Sequence, residues 1–497
     1  MFKLKKEFVL LILIFLLTLS LRLFFVFQTD FFSEDLAYFH LRNTENILET
    51  GKPIYFDGLS YSGRPVLYPP FSNYFLAFFS LFLPINLVAK LIPEILISSL
   101  VIIVYLISKE LTKDVRASLL TALMAGFIPL FASKILNTIS IYSFVLPIFF
   151  FMIYCMIKIR EERSYLPYLV IFSVLLPLTH STAFLIVFSL IIYFLLVISE
   201  SWNLRATNKE AIFFVILTTF LIQFLIYKEA FLLYGFNTIW SNTPVQLFLE
   251  YFKDINIMTI LYEVGILPVV FGFIAIFFGL FRKKRNDLFL LGGVILSTLL
   301  LLTLKLISIA DGLLFLGLTL VILSSLTIKN FFNYLKLTKF SHLQKHFSVI
   351  LVILVIVSLA IPFVISANKT VKNIPTEKDI EALLWFKLNI EEEAVVLAPL
   401  EEGHLISQIT KKSNVLDDLF LLAPDPGERL EDVDQIYTTK SEFKALDLLQ
   451  KYDVDYIFLS EKTKEKYNIT ELSYAVDKKC FRIRKYEEPK IYQVREC

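Results

Sequence analysis

About eleven mostly apolar runs dominate this 497-residue chain, near positions 8–28, 85–108, 116–135, 139–157, 165–180, 182–198, 211–229, 259–281, 288–304, 306–327 and 347–366. A span needs about 20 such residues to cross roughly 30 Å of hydrocarbon. Lipid offers the backbone no hydrogen-bond partners, so these runs are expected to be helices that satisfy their own peptide groups. A hydrophobic fraction of 56% agrees, since soluble domains hold about 45–50%. The first run contains Arg22 and lacks a small-residue cleavage site, so it reads as a retained helix rather than a signal peptide.

Charge divides the chain in two. Of 48 basic and 46 acidic residues, 20 and 26 lie in the last 131 positions, leaving 28 and 20 for the first 366. The net charge of +2 thus hides +8 in residues 1–366 and −6 in residues 367–497. The expected fold is an α-helical multi-pass membrane domain over 1–366, followed by a soluble α/β domain over 367–497. A basic soluble surface is missing, which argues against nucleic acid as a partner.

Lysines and arginines of the short connections set the orientation. Lys3, Lys5, Lys6, Lys109, Lys113, Arg116, Lys158, Arg160, Arg163, Arg205, Lys209, the run Arg282-Lys-Lys-Arg285, Lys329, Lys336 and Lys339 fall on one side if residues 71–83 form an interfacial helix. That side is read as cytoplasmic, in a plasma membrane, with the N-terminus there. The loops 29–84 and 230–258 and the soluble tail are then extracytoplasmic.

Within the tail, a helix is expected at 376–388 and strands at 394–398, 456–459, 481–483 and 490–494. Asn368-Lys-Thr370 and Asn468-Ile-Thr470 match the N-glycosylation acceptor pattern. Cys155 lies in an apolar run, and Cys480 and Cys497 can pair or stay free, so three cysteines define no framework. No zinc-type spacing occurs.

The first outer loop carries the densest chemistry, in Phe31-Phe-Ser-Glu-Asp-Leu-Ala-Tyr-Phe-His40. Ser33 can cap a helix whose first turn holds Glu34 and Asp35, where the helix dipole favours ionised carboxylates. As a structural element this is a pair of capping acids. As chemistry, Asp35 is a candidate general base, with Glu34 beside it, a role worth about 10²- to 10⁴-fold. Farther on, Gly51-Lys-Pro-Ile-Tyr-Phe-Asp57, Tyr61-Ser-Gly-Arg64 and Tyr68-Pro-Pro70 make a turn-rich aromatic segment too long for a mere connector.

Taken in order, these features resemble the GT-C superfamily of membrane glycosyltransferases, most closely the catalytic subunit of oligosaccharyltransferases. The resemblance covers nearly the whole chain. It rests on Glu34-Asp35 followed by Tyr38, His40 and Arg42, a first loop ending in Tyr68-Pro-Pro70, many spans, a second outer loop and an outer C-terminal domain. Ala394-Val-Val-Leu-Ala-Pro-Leu-Glu-Glu-Gly-His404 is similar to the strand and turn that carry a Trp-Trp-Asp-Tyr-Gly acceptor motif in that family, and Asn414-Val-Leu-Asp-Asp418 continues the register.

The departures from the family are specific. Leu400-Glu-Glu-Gly403 keeps the glycine without the aromatics, and Lys134-Ile-Leu-Asn-Thr-Ile-Ser140 holds no carboxylate where the family has acidic metal ligands. Asn237-Thr-Ile-Trp-Ser241 resembles a Thr-Ile-x-Glu pattern but ends in serine. With Asp35 alone left of the expected carboxylates, no metal site and no cofactor are expected, because a divalent ion wants several oxygen ligands.

The resemblance then implies an inverting transfer of one sugar from a polyprenyl-phosphate donor to a glycan, lipid or protein acceptor. Candidates for the donor phosphate are Lys305, Arg64 and Arg42. Lys305 and Asp311, placed between two spans, need water, a ligand or each other, because ionisable groups are costly in a membrane. His40, His180, Glu402 and His404 are candidates for the acceptor or its cavity. Lys90 and Glu94, four apart, are expected to pair. Three rival readings stay open: an inactive scaffold of the same fold that binds a glycan or protein, an oligosaccharyltransferase-related enzyme, and a transporter or flippase of a lipid-linked intermediate.

Overall fold

The computed structural model describes residues 6–202, 204–235, 243–252, 256–282, 286–391, 393–475, 479–485 and 489–495. Lys3, Lys5, Asn237–Ser241, Lys283–Arg285 and Cys497, invoked above, lie outside the described residues.

All eleven apolar runs are helical. The chain forms α1 (Lys6–Val26), then, past the first loop, α4 (Ile85–Ser98), α5 (Leu100–Thr112), α6 (Val115–Gly126), α7 (Pro129–Lys134), α8 (Tyr142–Lys158), α9 (Leu166–Leu175), α10 (Phe184–Ser199) and α11 (Ala206–Tyr234). After the short α12 (Val245–Tyr251) come α13 (Ile257–Val264), α14 (Ile266–Arg282), α15 (Asn286–Thr303), α16 (Ile309–Lys336), α17 (Gln344–Val355) and α18 (Ile361–Lys372). Eight of the described helical stretches are long and apolar enough to cross a membrane. A ninth, α13 with α14, is bent by 99° at Gly265, while α8 and α9 are shorter apolar helices. Gly265 has φ +94 and would set a Cβ 2.2 Å from the Leu359 side chain, so the break needs glycine.

The first long loop is itself structured. It contains α2 (Leu36–Thr50), the short hairpin β1 (Phe56–Asp57) and β2 (Arg64–Pro65), and α3 (Phe71–Ser80). At ten residues α3 is too short to span. Phe78, Leu81 and Phe82 on and just after it are exposed, as suits an interfacial helix.

The tail is a layered α/β unit. Strands β3 (Val395–Leu397), β4 (Ser413–Asn414), β5 (Tyr456–Leu459), β6 (Phe481–Lys485) and β7 (Lys490–Val494) form one mixed sheet in the order β4-β3-β5-β7-β6. β3 runs parallel to β4 and β5, and β7 antiparallel to β5 and β6. Alternation along the strands serves two cores. Val395, Leu397, Ile457, Leu459 and Tyr492 pack with the helices α21 (Pro426–Thr438) and α22 (Glu442–Lys451). Val396, Tyr456, Phe458 and Ile491 pack with α19 (Glu377–Asn389), α20 (Gly403–Thr410) and residues of α2 and α4. The expected strands and helix are present, the helix closed by a Thr376–Asp379 capping box. A last helix, α23 (Glu461–Tyr467), follows β5. This second core joins tail, loop and membrane helices into one body.

Candidate active site at the junction of loop and tail

Two segments distant in sequence meet where α2 begins. Gly403 opens α20 against the chain after β4, so close that a Cβ there would lie 2.2 Å from the Leu416 carbonyl oxygen. The first amides of α20 thereby face the first outer loop. Asp35 accepts from the His404 and Leu405 amides, both at 2.8 Å, the bonding that a helix N-terminus offers a carboxylate. Asp35 therefore caps α20, across 369 residues of chain, rather than its own helix.

Burial pushes the Asp35 carboxyl up to about 7, against the pull of His404 and the two amides. For His404, burial opposes the charge, but Asp417, Asp418 and Asp35 outweigh it and raise the imidazole to about 9. His404 Nε2 lies 3.0 Å from Asp418 and 3.6 Å from Asp417. Its Nδ1 is buried and, among the described residues, has no hydrogen-bond partner.

Glu34 is placed differently. One oxygen accepts from Thr138 Oγ1 at 3.2 Å. Burial raises this carboxyl to about 7 although Lys134 and the threonine lower it, with Asp418 and Asp311 adding like charge. Lys134, at the end of α7, also acts by charge on Asp311. Asp311 accepts from Ser308 Oγ at 2.6 Å and faces the Tyr142 hydroxyl. Glu34 is thus within electrostatic reach of Lys134, Asp311 and Asp418.

Asn137 holds this arrangement from behind. It sits in the left-handed region, φ 56. Its Nδ2 donates to the Phe31 carbonyl at 3.0 Å and to Ser33 Oγ at 2.9 Å, so Ser33 serves Asn137 and does not cap α2. Lys90 donates to Asn137 Oδ1 at 3.3 Å and to the carbonyls of Val26 and Thr29. Glu94 accepts from the Asn137 amide at 3.2 Å and from Arg22 Nε at 2.5 Å. Lys90 and Glu94, expected to pair, instead each take a buried partner of their own. The residues present do not fit the acidic metal ligands of the resembled family: Asn137 is committed inward and Thr138 donates to Glu34. Among the described residues no three His, Cys, Asp or Glu side chains converge as metal ligands.

Several residues expected at a substrate are committed within the protein. Arg42 forms a two-pronged ion pair with Asp57, at 2.7 and 2.5 Å, both side chains buried. Arg64 pairs with Asp417 at 3.2 Å and donates to Ser60 Oγ and the Leu421 carbonyl. Their guanidinium groups hold the loop to itself and to the tail, a geometry that leaves no fork for a phosphate. Glu402 is buried and accepts from Ser460 at 2.6 Å and Thr463 at 3.1 Å. His40 is buried between Asn73 at 2.8 Å and Tyr68 at 3.2 Å, and burial lowers it to about 4 despite the Asn73 bond. His180 caps the turn at Thr182, and its ring meets Tyr142, so it lies on the edge of the site.

Lys305 stands beside two phenylalanines. Its ammonium sits 5.6 and 5.7 Å from the ring centres of Phe248 and Phe252, within cation–π range. It lines a cleft of about 440 Å³ with Thr243, Val245, Phe248 and Leu304. Sequence reasoning passed over Lys134, Asn137, Asp417 and Asp418 as site residues. An adjacent acidic pair in Asn414-Val-Leu-Asp-Asp418 was the available signal.

This arrangement of spans, structured first loop and C-terminal domain is similar in fold to solved membrane glycosyltransferases of GT-C type. The oligosaccharyltransferase of Archaeoglobus fulgidus, tethered to an acceptor peptide with the NVT sequon, superposes with a TM-score of 0.72 at 14% identity, over 92% of this chain and 69% of that one. ArnT from Cupriavidus metallidurans, bound to undecaprenyl phosphate, gives 0.57 at 10% identity, over 96% and 97%. The arabinofuranosyltransferase AftD from Mycobacteria gives 0.53 at 13%, over 90% and 36%. No protein-family model and no curated protein matches the chain.

Proposed function

We propose that this chain is a membrane glycosyltransferase that moves one sugar, with inversion, from a polyprenyl-phosphate donor to an acceptor hydroxyl at the outer face of the plasma membrane. One observation carries the reading: Glu34 and Asp35, both raised to about 7, stand where the loop, the tail and the membrane helices meet. A base is most effective with a pKa near the working pH. Both Asp35 oxygens take α20 amides, so Glu34, with a single hydroxyl bond among the described residues, is the less committed of the two carboxylates. We assign Glu34 as the proton acceptor and Asp35 as the group that fixes it against the tail. The acceptor oxygen loses its proton to Glu34 and bonds to the anomeric carbon. The phosphate leaves from the opposite face with the electron pair of the broken bond.

Lys305, at its apolar cleft, and Lys134, facing Glu34, are the cations offered to that phosphate. Solved relatives in fold were captured with dolichol-phosphate and with undecaprenyl phosphate, which supports the lipid class of the donor. An outward tail is supported by the disulfide of Cys480, since such bonds persist in oxidising compartments. In this reading the transfer uses no divalent metal.

The test starts with mass spectrometry of lipids that co-purify with the intact protein, which names the donor. Transfer from that donor in vesicles is then measured for the natural chain and Glu34→Gln. A fall of about 10²- to 10⁴-fold is expected, with no change on adding EDTA. Transfer undiminished by Glu34→Gln removes the assigned base. A complete lack of isoprenoid phosphate and of transfer favours the inactive scaffold, to which the buried commitments of Asp35, Arg42 and Arg64 also point.

A further inference from the structure

The two acceptor patterns of the tail have opposite surroundings. Asn368 lies inside α18, at the end of the last apolar stretch, and its Nδ2 donates back to the Val364 carbonyl at 3.0 Å. Thr370 of the same tripeptide donates to the Ala132 carbonyl at 3.0 Å, against α7. Both groups that a glycosylating enzyme must engage are thus bonded within helical structure at the membrane edge.

Asn468 ends α23 in the left-handed region, φ 52, and is exposed, as is Thr470. The chain reverses there, the Ile469 amide bonding to the Lys464 carbonyl at 3.0 Å. Among the described residues, neither the Asn468 carboxamide nor the Thr470 hydroxyl makes a hydrogen bond. Both border a surface groove of about 460 Å³, shared with Lys464, Glu471 and Lys490.

We propose that Asn468 is a site of N-linked glycosylation and that Asn368 is not. The inference rests on the outward placement of the tail given above. In the modification, the Asn468 amide nitrogen loses one proton and bonds to the anomeric carbon of a lipid-linked oligosaccharide. The lipid phosphate leaves with the bonding electrons. Exposed turns with free side chains are where such acceptors are found, and a glycan there adds a bulky, solubilising group to the tail surface.

The experiment is synthesis of the full chain into sealed microsomes that carry N-glycosylation machinery, followed by endoglycosidase and by externally added protease. One glycan is expected, lost in Asn468→Gln and in Thr470→Ala and kept in Asn368→Gln. A tail protected from protease but unmodified, or a glycan that survives Asn468→Gln, overturns the assignment. A tail digested from outside overturns the outward placement itself, and this inference with it.

Discussion

The two long loops, 29–84 and 230–258, are built on opposite principles. In the first, polar side chains are interior: His40, Arg42, Asn43, Asp57, Ser60, Arg64 and Asn73 are all buried. Most of their polar atoms are bonded, several to the tail, as when the Tyr61 amide donates to Asn414 at 3.0 Å and Tyr61 Oη to the Asp417 carbonyl at 2.8 Å. In the second, the described residues turn apolar side chains outward. Leu232, Leu233, Val245 and Leu249 are 60–76% exposed, and α12 buries none of its residues. Buried polar networks hold one geometry when every member is satisfied. Exposed apolar surface at a membrane edge is held by little of the protein itself. Under the proposed function, the difference would divide roles: the first loop would pre-position the carboxylates, and the second would turn its apolar flank, with Lys305 at its cleft, toward a lipid-borne donor.

Breaking the rigid half is expected to give the largest effect. Arg64→Ala leaves the buried Asp417 with His404 as its remaining charged partner, at a cost of up to about 3–5 kcal/mol. Thermal unfolding and limited proteolysis should show the first loop released from the tail, whereas the same measurements on Lys305→Ala should differ little from the natural chain. Equal destabilisation by both substitutions would erase the contrast.

Asp35→Asn sharpens it further. Loss of the carboxylate at the α20 N-terminus is expected to cost about 1–2 kcal/mol and to lower transfer, while Glu34→Gln lowers transfer with stability retained. A stable, inactive Asp35→Asn protein would return the role of base to Asp35.

The junction also has a pH signature. His404 is raised from 6.5 to about 9 by Asp417, Asp418 and Asp35, against burial. A folded value above the unfolded one gives stability that is complete below about 6.5 and is lost as pH rises through about 9. The melting temperature of the natural chain is expected to approach that of His404→Gln across this window, and a constant gap between them would refute the charged imidazole. Smallest in stability, Lys305→Ala should remove cation–π contacts worth about 0.5–1 kcal/mol yet strip the proposed polyprenyl-phosphate donor from the purified protein.

Much of the architecture was legible because it is written in local patterns. Each apolar run became a helix, and Thr376-x-x-Asp379 capped α19 as its spacing asks. The candidate site was legible by place but not by partner. Glu34 and Asp35 look alike in sequence, and nothing near them says that one meets Thr138 and the other the amides of α20. Arg42 and Arg64 read as phosphate ligands because nothing local shows that Asp57 and Asp417 take them up. Lys90 and Glu94 have the helical spacing of a pair, yet α1 and the turn at Asn137 offered each a better-buried partner.

The sequence by itself determined a chain of many spans with a soluble α/β tail, because hydrophobic length and charge balance act residue by residue against lipid and water. Tertiary structure alone decided which charges meet. A carboxylate chooses its partner across hundreds of residues by where Gly403 lets two backbones touch, and a buried charge stays only where that choice satisfies it.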